Sequence, residues 1–242
     1  METLEVHLKH QIEHSRNFFW HRIRWRAVQE HLPPGSFELV DVGAGAGLLG
    51  EYLTAEVPRA SYRFVEPIES LQHHLEVRFG RAANANWLDC FSGAEVICLL
   101  DVLEHQEDDR GFLAELASKM DSGATLLVTV PSVGFLWSQW DVALGHFRRY
   151  DKRSLLQAVR GLPLEIRELS YLFPEMVPAG LLRRLSRGRG DEERPEGFGQ
   201  SSEFPNLPSP LNAALYAAGT VSVRLRRIAP IGSSLLAVLI RA

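Results

Sequence analysis

The run Phe37-Glu38-Leu39-Val40-Asp41-Val42-Gly43-Ala44-Gly45-Ala46-Gly47 constrains this chain more than any other feature. Leu39, Val40 and Val42 form a short apolar stretch that reads as a buried strand, and alternating glycines follow it without a gap. Leu48 to Leu53 then reads as the first turns of a helix. A strand, a glycine turn and a helix start make a nucleotide-binding corner. Glycine has no Cβ, so a ligand can lie against the backbone, and amides at the helix start are free to donate hydrogen bonds.

Two ligands compete for this corner. Gly45, Gly47 and Gly50 satisfy Gly-x-Gly-x-x-Gly, and Glu66 stands about 20 residues on, where a dinucleotide's ribose acid is expected. Asp41 argues otherwise. It stands two residues before Gly43, giving Asp-x-Gly-x-Gly-x-Gly with Gly43 directly after the strand. In that register Gly50 belongs to the helix. A carboxylate at the strand tip suits an ammonium or sulfonium ligand, whereas a pyrophosphate there would meet like-charge repulsion.

With Asp41 included, the loop resembles the first motif of the class I S-adenosylmethionine-dependent methyltransferases, and the resemblance extends over roughly Phe18 to Tyr150 with an echo in Ser233 to Arg241. It implies a Rossmann-like, doubly wound α/β fold: a mostly parallel seven-stranded sheet, an antiparallel last strand and helices on both faces. The cofactor implied is S-adenosyl-L-methionine, released as S-adenosyl-L-homocysteine.

At 242 residues the chain suits one α/β domain with modest additions. The formal net charge of −4 gives no case for nucleic-acid binding. Cys90 and Cys98 offer neither a disulfide framework nor zinc spacing. The polar N-terminus carries no signal peptide, and no apolar stretch is long enough to span a bilayer. These features lead to the expectation of a cytoplasmic protein without stable membrane insertion.

The order of elements agrees. Thr3 to His31 has broadly helical apolar spacing, closed by Pro33-Pro34-Gly35. Strands are expected at Phe37 to Val42, Ser61 to Val65, up to Leu88-Asp89, Ala94 to Leu100, Ala124 to Val130, Leu164 to Leu172 and Ser234 to Ile240. Helices are expected from Leu48 to about Glu56, Ile68 to Phe79, Arg110 to Met120, Lys152 to Arg160 and Pro210 to Ile228. The last has Leu211, Ala214, Leu215, Ala218, Val221 and Leu225 on one face. Strand–helix alternation implies a parallel sheet covered on both faces, with ligands at the carboxyl ends of its strands. The domain divides into a helical cover (1–34), a cofactor-binding core (35–172), a helical insertion with a mobile loop at 187–205 (173–230) and a final strand (231–242).

Each expected strand tip carries an acid. Glu66, followed by Pro67, is placed to accept from both ribose hydroxyls. Asp89 resembles the family acid that accepts from the adenine amino group. Asp101, followed by Val102, sits near the methionine part of the cofactor and the methyl group. Asp41, with Gly43, Ala44, Gly45 and Gly47, is expected near the methionine ammonium, acting through a water or the loop amides. A dehydrogenase requires only the ribose acid.

A sulfonium methyl is already electrophilic, so catalysis needs in-line positioning and removal of a proton from the nucleophile. Two segments offer candidates. Asp101-Val102-Leu103-Glu104-His105 is similar to a motif of ubiquinone-biosynthesis O-methyltransferases, in which the matching acid, Glu and His (Asp101, Glu104 and His105) are associated with a divalent metal. Here His105 is read as a helix-start residue beside the cofactor, and a metal is not expected. Gly145-His146-Phe147-Arg148-Arg149-Tyr150 resembles a pattern of bacterial methyltransferases of surface-polysaccharide and natural-product pathways. Histidine is the side chain that ordinarily titrates near neutrality, which makes His146 the candidate base. Arg148 and Arg149 are candidates to grip an anion, and Tyr150 to hydrogen-bond or stack; Arg149 and Tyr150 also suit structural pairing with acids of the fold. The run Asn17 to Trp25 resembles an entry helix that closes over the cofactor, with Arg22 or Arg24 near its carboxylate.

The expectation is an S-adenosylmethionine-dependent methyltransferase acting at oxygen on a small or carrier-linked acceptor, in a natural-product or surface-glycan pathway. The rivals are a nicotinamide-dependent oxidoreductase or sugar-nucleotide enzyme, and a catalytically silent binding protein. Arg183, Arg184, Arg187, Arg189, Arg224, Arg226 and Arg227 suit a membrane surface, a lid or a homodimer face.

Overall fold

The computed structural model describes residues 2–14, 16–87, 91–186 and 207–242. Asp89, Cys90, the 187–205 loop, Arg187 and Arg189 fall outside them, as do the side chains of Arg183 and Arg184. The strands are β1 (Phe37–Val42), β2 (Ala60–Val65), β3 (Val96–Leu100), β4 (Thr125–Pro131), β5 (Leu164–Leu172) and β6 (Ser234–Arg241). They form one sheet in the order β2-β1-β3-β4-β6-β5. β6 is antiparallel to both β4 and β5, as expected of the last strand; the β1–β2, β1–β3 and β3–β4 pairings are parallel.

The sheet has six strands among the described residues, not seven. Where the further edge strand was expected, Asn84 makes a single parallel bridge to Phe64 and the Ala85 amide donates to the Phe64 carbonyl at 2.8 Å. The pairing then stops, and residues 88–90 lie outside the described set.

Alternation along the strands sorts side chains into two cores. Val40, Val42, Ile97 and Leu99 face a core shared with Leu113 and Leu116 of α5 (Asp109–Lys119) and Leu155 of α7 (Lys152–Val159). Phe37, Leu39, Val96 and Cys98 face the other, shared with α2 (Phe19–Gln29) and α3 (Leu48–Glu56). The sheet is therefore covered on both faces.

The N-terminal segment is two helices rather than one. α1 (Glu2–His14) and α2 are separated at Phe18, whose backbone is extended. Asn212 of α9 (Ser209–Leu225) holds the break: its Oδ1 accepts from the Phe19 amide and its Nδ2 donates to the Asn17 carbonyl, both at 2.9 Å. A distant side chain thus satisfies a helix-start amide that local sequence leaves without a cap. α9 also presents an unexpected face to the protein. Gly219 and Val223 are buried while Leu211, Val221 and Leu225 are exposed. A Cβ at Gly219 would stand 2.7 Å from Ile23 Cγ1, so the small residue lets α9 approach α2. Arg226 is likewise buried, paired with Glu168 and Glu30 rather than turned to a membrane or dimer face.

Strand order reverses on either side of β1, which makes the β1–β3 boundary the topological switch point where ligands of open α/β sheets bind. Val42 lies opposite both Val65 and Leu99, so the segments after β1, β2 and β3 leave the sheet at one level.

Candidate functional site

The glycine loop closes around its own backbone. The Gly43 amide donates to the Val65 carbonyl at 2.8 Å, and the Gly47 amide to the Ala44 carbonyl at 2.9 Å. Gly47 caps α3 at φ 76°, where a side chain would be strained, and a Cβ there would stand 2.5 Å from Leu75 Cδ2. Gly50 lies inside α3, where a Cβ would stand 2.6 Å from the Tyr62 ring. Its absent side chain makes room for packing, so the third glycine of the dinucleotide pattern is not part of the turn.

Three acids flank this loop. Glu66 is 5% exposed. Its Oε2 accepts from the Gly45 amide at 2.7 Å and its Oε1 from the Ile68 amide at 2.9 Å, with exposed Pro67 between. Burial raises its pKa, and the two amide bonds oppose that rise. Asp41 accepts from the Tyr62 hydroxyl at 3.0 Å, and burial pushes its carboxyl up to about 7. Asp101 has φ 61° directly after β3, pairs with Arg24 of α2 and accepts from Thr129 Oγ1 at 3.1 Å. The entry-helix arginine is therefore committed to an acid of the fold. Arg22 lies over the Tyr216 ring, 3.6 Å from its centroid. Val102 packs on the loop, its Cγ2 2.7 Å from where a Gly43 Cβ would be.

The cover over the loop comes from α1, upstream of the expected run. Leu8 Cδ2 stands 3.1 Å from the Cβ position of Gly45. On one side Ser70 Oγ donates to Glu5 at 2.5 Å; on the other His7 meets Trp140 edge to face at 5.1 Å. α1 spans from α4 (Glu69–Phe79) to α6 (Gln139–Ala143) across the glycine loop.

The second half of the site gathers around Asp141, which sequence reading did not single out. Ser138 and Asp141 form a capping box at the start of α6, a Ser-x-x-Asp spacing that was visible in the sequence. Asp141 is fully buried. Its Oδ1 accepts from His146 Nδ1 at 3.1 Å and Arg149 Nε at 2.7 Å, and its Oδ2 from Arg149 Nη2 at 3.0 Å. Burial alone would raise its pKa; the bonds from His146 and Arg149 outweigh that and hold it down to about 2. With Nδ1 donating to a carboxylate, His146 keeps Nε2 as its lone-pair nitrogen.

Two candidate catalytic residues prove to be held by the fold. Arg149 is spent on Asp141 and, at 3.1 Å, on the Ser132 carbonyl. Tyr150 is 1% exposed and donates to Asp109 at 2.7 Å, and burial raises its pKa strongly. Arg148 is spent too, on Asp109 at 3.0 Å and the Glu107 carbonyl at 2.6 Å. Neither a grip on substrate nor a reactive phenol follows from these positions.

His105 and His146 meet edge to face, ring centroids 4.7 Å apart at 83°. Burial, then His146, lowers the His105 pKa to about 4. Beneath them Glu104 is fully buried, with both carboxylate oxygens lacking a hydrogen-bond partner, and burial followed by Asp101 raises its pKa well above the ordinary range. The possible metal ligands suggested by the motif, Asp101, Glu104 and His105, are thus regrouped: ligand atoms of Glu104, His105 and His146 all lie within 4.8 Å of one another.

A family model described as a methyltransferase domain matches residues 7–169. No curated protein sequence matches the chain. Among solved structures, geranyl diphosphate C-methyltransferase from Streptomyces coelicolor A3(2), in complex with Mg2+, geranyl-S-thiolodiphosphate and S-adenosyl-L-homocysteine, aligns at TM-score 0.58 and 14% identity over 90% of this chain and 75% of that one. The [4+2]-cyclase SpnF aligns at TM-score 0.53 and 14% identity over 91% and 81%. The mitomycin 7-O-methyltransferase MmcR aligns at TM-score 0.51 and 15% identity over 90% and 53%. At these identities the likeness carries the fold alone. The family match spans more than half of the chain and includes the glycine loop, the strand-tip acids and the His105–His146 pair, so the chain belongs to the methyltransferase-domain family, as its resemblance to the class I S-adenosylmethionine-dependent enzymes implied.

Proposed function

We propose that this chain, as a single domain, transfers the methyl group of S-adenosyl-L-methionine to an oxygen of a small or carrier-linked acceptor in a biosynthetic pathway. The observation that carries the reading is the bond from the Gly45 amide to Glu66 at the switch point. It ties the loop that would cradle the methionine part to the acid that would hold the ribose, and Asp41 and Asp101 stand at the carboxyl ends of the neighbouring strands β1 and β3. Each Glu66 oxygen accepts one amide bond and keeps capacity for a ribose hydroxyl. Asp41 and Asp101 supply negative charge for the ammonium and sulfonium end. His146 faces the acceptor; with Nδ1 committed to Asp141, its Nε2 takes the acceptor's proton while the acceptor oxygen displaces the thioether from the methyl carbon. His105 packs beside it.

Calorimetric titration of the full chain with S-adenosylhomocysteine and with NADH tests the cofactor. Binding of S-adenosylhomocysteine alone is expected, and binding of NADH alone overturns the reading. Transfer of labelled methyl groups to a cell extract then separates an enzyme from a silent binding protein.

A further inference from the structure

Glu104 is the acid whose surroundings differ most from those of the other buried carboxylates in the site. Glu66 accepts two amides and Asp141 is ringed by donors, whereas the two Glu104 oxygens are buried without a hydrogen-bond partner. A buried polar group normally has its partners, and an orphaned one calls for an explanation. The groups beside Glu104 are two imidazoles, each anchored through one side of its ring. His146 Nδ1 is bonded to Asp141 Oδ1 at 3.1 Å, and the His105 ring to the backbone of Gly145. Histidines that bind metals almost always donate their second ring N–H to a carboxylate or a backbone carbonyl, which fixes the tautomer and turns the other nitrogen toward the ion. Both arrangements are present here. The chain also locks the two segments together, since the Phe147 amide donates to the Glu104 carbonyl at 2.8 Å.

We propose that Glu104, His105 and His146 bind a single divalent transition-metal ion beside the methyl-transfer site. Two imidazoles and one carboxylate suit zinc or manganese and disfavour magnesium, which takes oxygen ligands. Their ligand atoms span up to 4.8 Å, against metal–ligand bonds of about 2.0–2.2 Å, so modest side-chain rotation closes the site. Three protein ligands leave a coordination position open. Asp101, which the sequence motif groups with Glu104 and His105, is outside this set: the ligand atoms that lie within 4.8 Å of one another are those of Glu104, His105 and His146, and Asp101 pairs with Arg24.

The task of the ion, though not its binding, rests on the methyltransferase reading. An acceptor hydroxyl in the open position gives up its proton to solvent more readily; its oxygen lone pair forms the C–O bond as the carbon–sulfur bond breaks and the sulfonium becomes a thioether. In the loaded chain His146 Nε2 is a ligand, and in the metal-free chain it is the base.

The test uses the full chain stripped with a chelator, titrated with MnCl2 and with ZnCl2 by calorimetry and, for manganese, by electron paramagnetic resonance. Saturable binding of a single ion per chain is expected. Glu104→Gln and His146→Ala should each weaken it by more than the ~10–100-fold typical of outer-shell partners, and Asp141→Asn by about that amount. Asp101→Asn should leave it unchanged. Far-UV circular dichroism and a cooperative thermal melt show that each variant is folded. No saturable binding by the wild type, or wild-type binding by both ligand variants, overturns the proposal, as does equal loss in Asp101→Asn and Glu104→Gln. A wild type that binds metal but not S-adenosylhomocysteine sinks the methyltransferase reading and leaves the ion site standing.

Discussion

Glu66 reaches back across 21 residues of sequence to accept the Gly45 amide at 2.7 Å, so the tip of β2 holds the loop that follows β1. Glu66→Ala removes the acceptor for two amides and the proposed ribose contact together. Hydrogen bonds to charged groups contribute about 1.5–3 kcal/mol, so affinity for S-adenosylhomocysteine should fall roughly 10–100-fold by calorimetry. Glu66→Gln, which keeps one acceptor oxygen, should lose less. Equal affinity of wild type and Glu66→Ala would remove Glu66 from the cofactor site.

Asp41 couples cofactor binding to pH. Burial, opposed by the Tyr62 bond, places its folded pKa at about 7, so it is largely protonated below that value. A ligand ammonium favours the carboxylate. Affinity for S-adenosylhomocysteine should therefore rise as pH increases through about 7 and level off above it, and binding should release a proton. Asp41→Asn should flatten the profile. Calorimetry in buffers of different ionisation enthalpy measures the proton directly.

His146→Ala should lower turnover by about 10²–10⁴-fold, the usual scale for loss of a general base, while S-adenosylhomocysteine binds as in the wild type. Asp141 is a positioning residue. Asp141→Asn should lower turnover while S-adenosylhomocysteine still binds, because the amide no longer fixes the tautomer and orientation of the His146 ring. Parallel loss of turnover and cofactor binding in His146→Ala would make that residue structural.

Glu104 trades stability for its position. Its folded pKa is raised well above the unfolded value, first by burial and then by Asp101. Such a group contributes stability below the unfolded carboxylate value and loses it as pH rises toward the folded one. Glu104→Gln removes the charging penalty, so the melting temperature of the metal-free chain should rise at neutral and alkaline pH, by about 2–4 °C per kcal/mol gained. A lower melting temperature at pH 8 would contradict this account of the buried acid.

Glu168 has the opposite sign. Burial opposes ionisation, but bonds from Arg226, Ser170 and Arg227 hold its folded pKa at about 2. Its contribution is present above the unfolded carboxylate value of 4.5 and is lost as pH falls from there toward 2. Glu168→Ala leaves Arg226 buried without its main partner, which typically costs about 3–5 kcal/mol. Urea titrations at pH 7 and pH 3 should show a difference between wild type and variant that is larger at pH 7 and reduced at pH 3.

Period and punctuation made much of the fold legible in the chain itself. The glycine loop, the apolar strands and the antiparallel final strand are local signals, and most observed elements lie within a few residues of their expected positions. Asp41, Glu66 and Asp101 could be read because a residue at the carboxyl end of a parallel strand has nowhere to go but the ligand edge. Partner choice was not legible, because it depends on residues far apart in sequence. Arg24 meets Asp101 across 77 positions, and Asn212 splits the N-terminal helix across 193. Arg149 and Tyr150 stand beside His146 in sequence, but Asp141 and Asp109 draw them into the fold.

The chain by itself determined the sheet, the loop and the acids at its edge, since hydrophobic alternation and the conformational freedom of glycine act over a few residues. Tertiary structure alone decided which polar groups saturate one another and which remain unsatisfied. That outcome depends on burial and on distances between separate elements. It left Glu104 buried without a hydrogen-bond partner beside two oriented histidines, and placed Leu8 of α1 over the glycine loop.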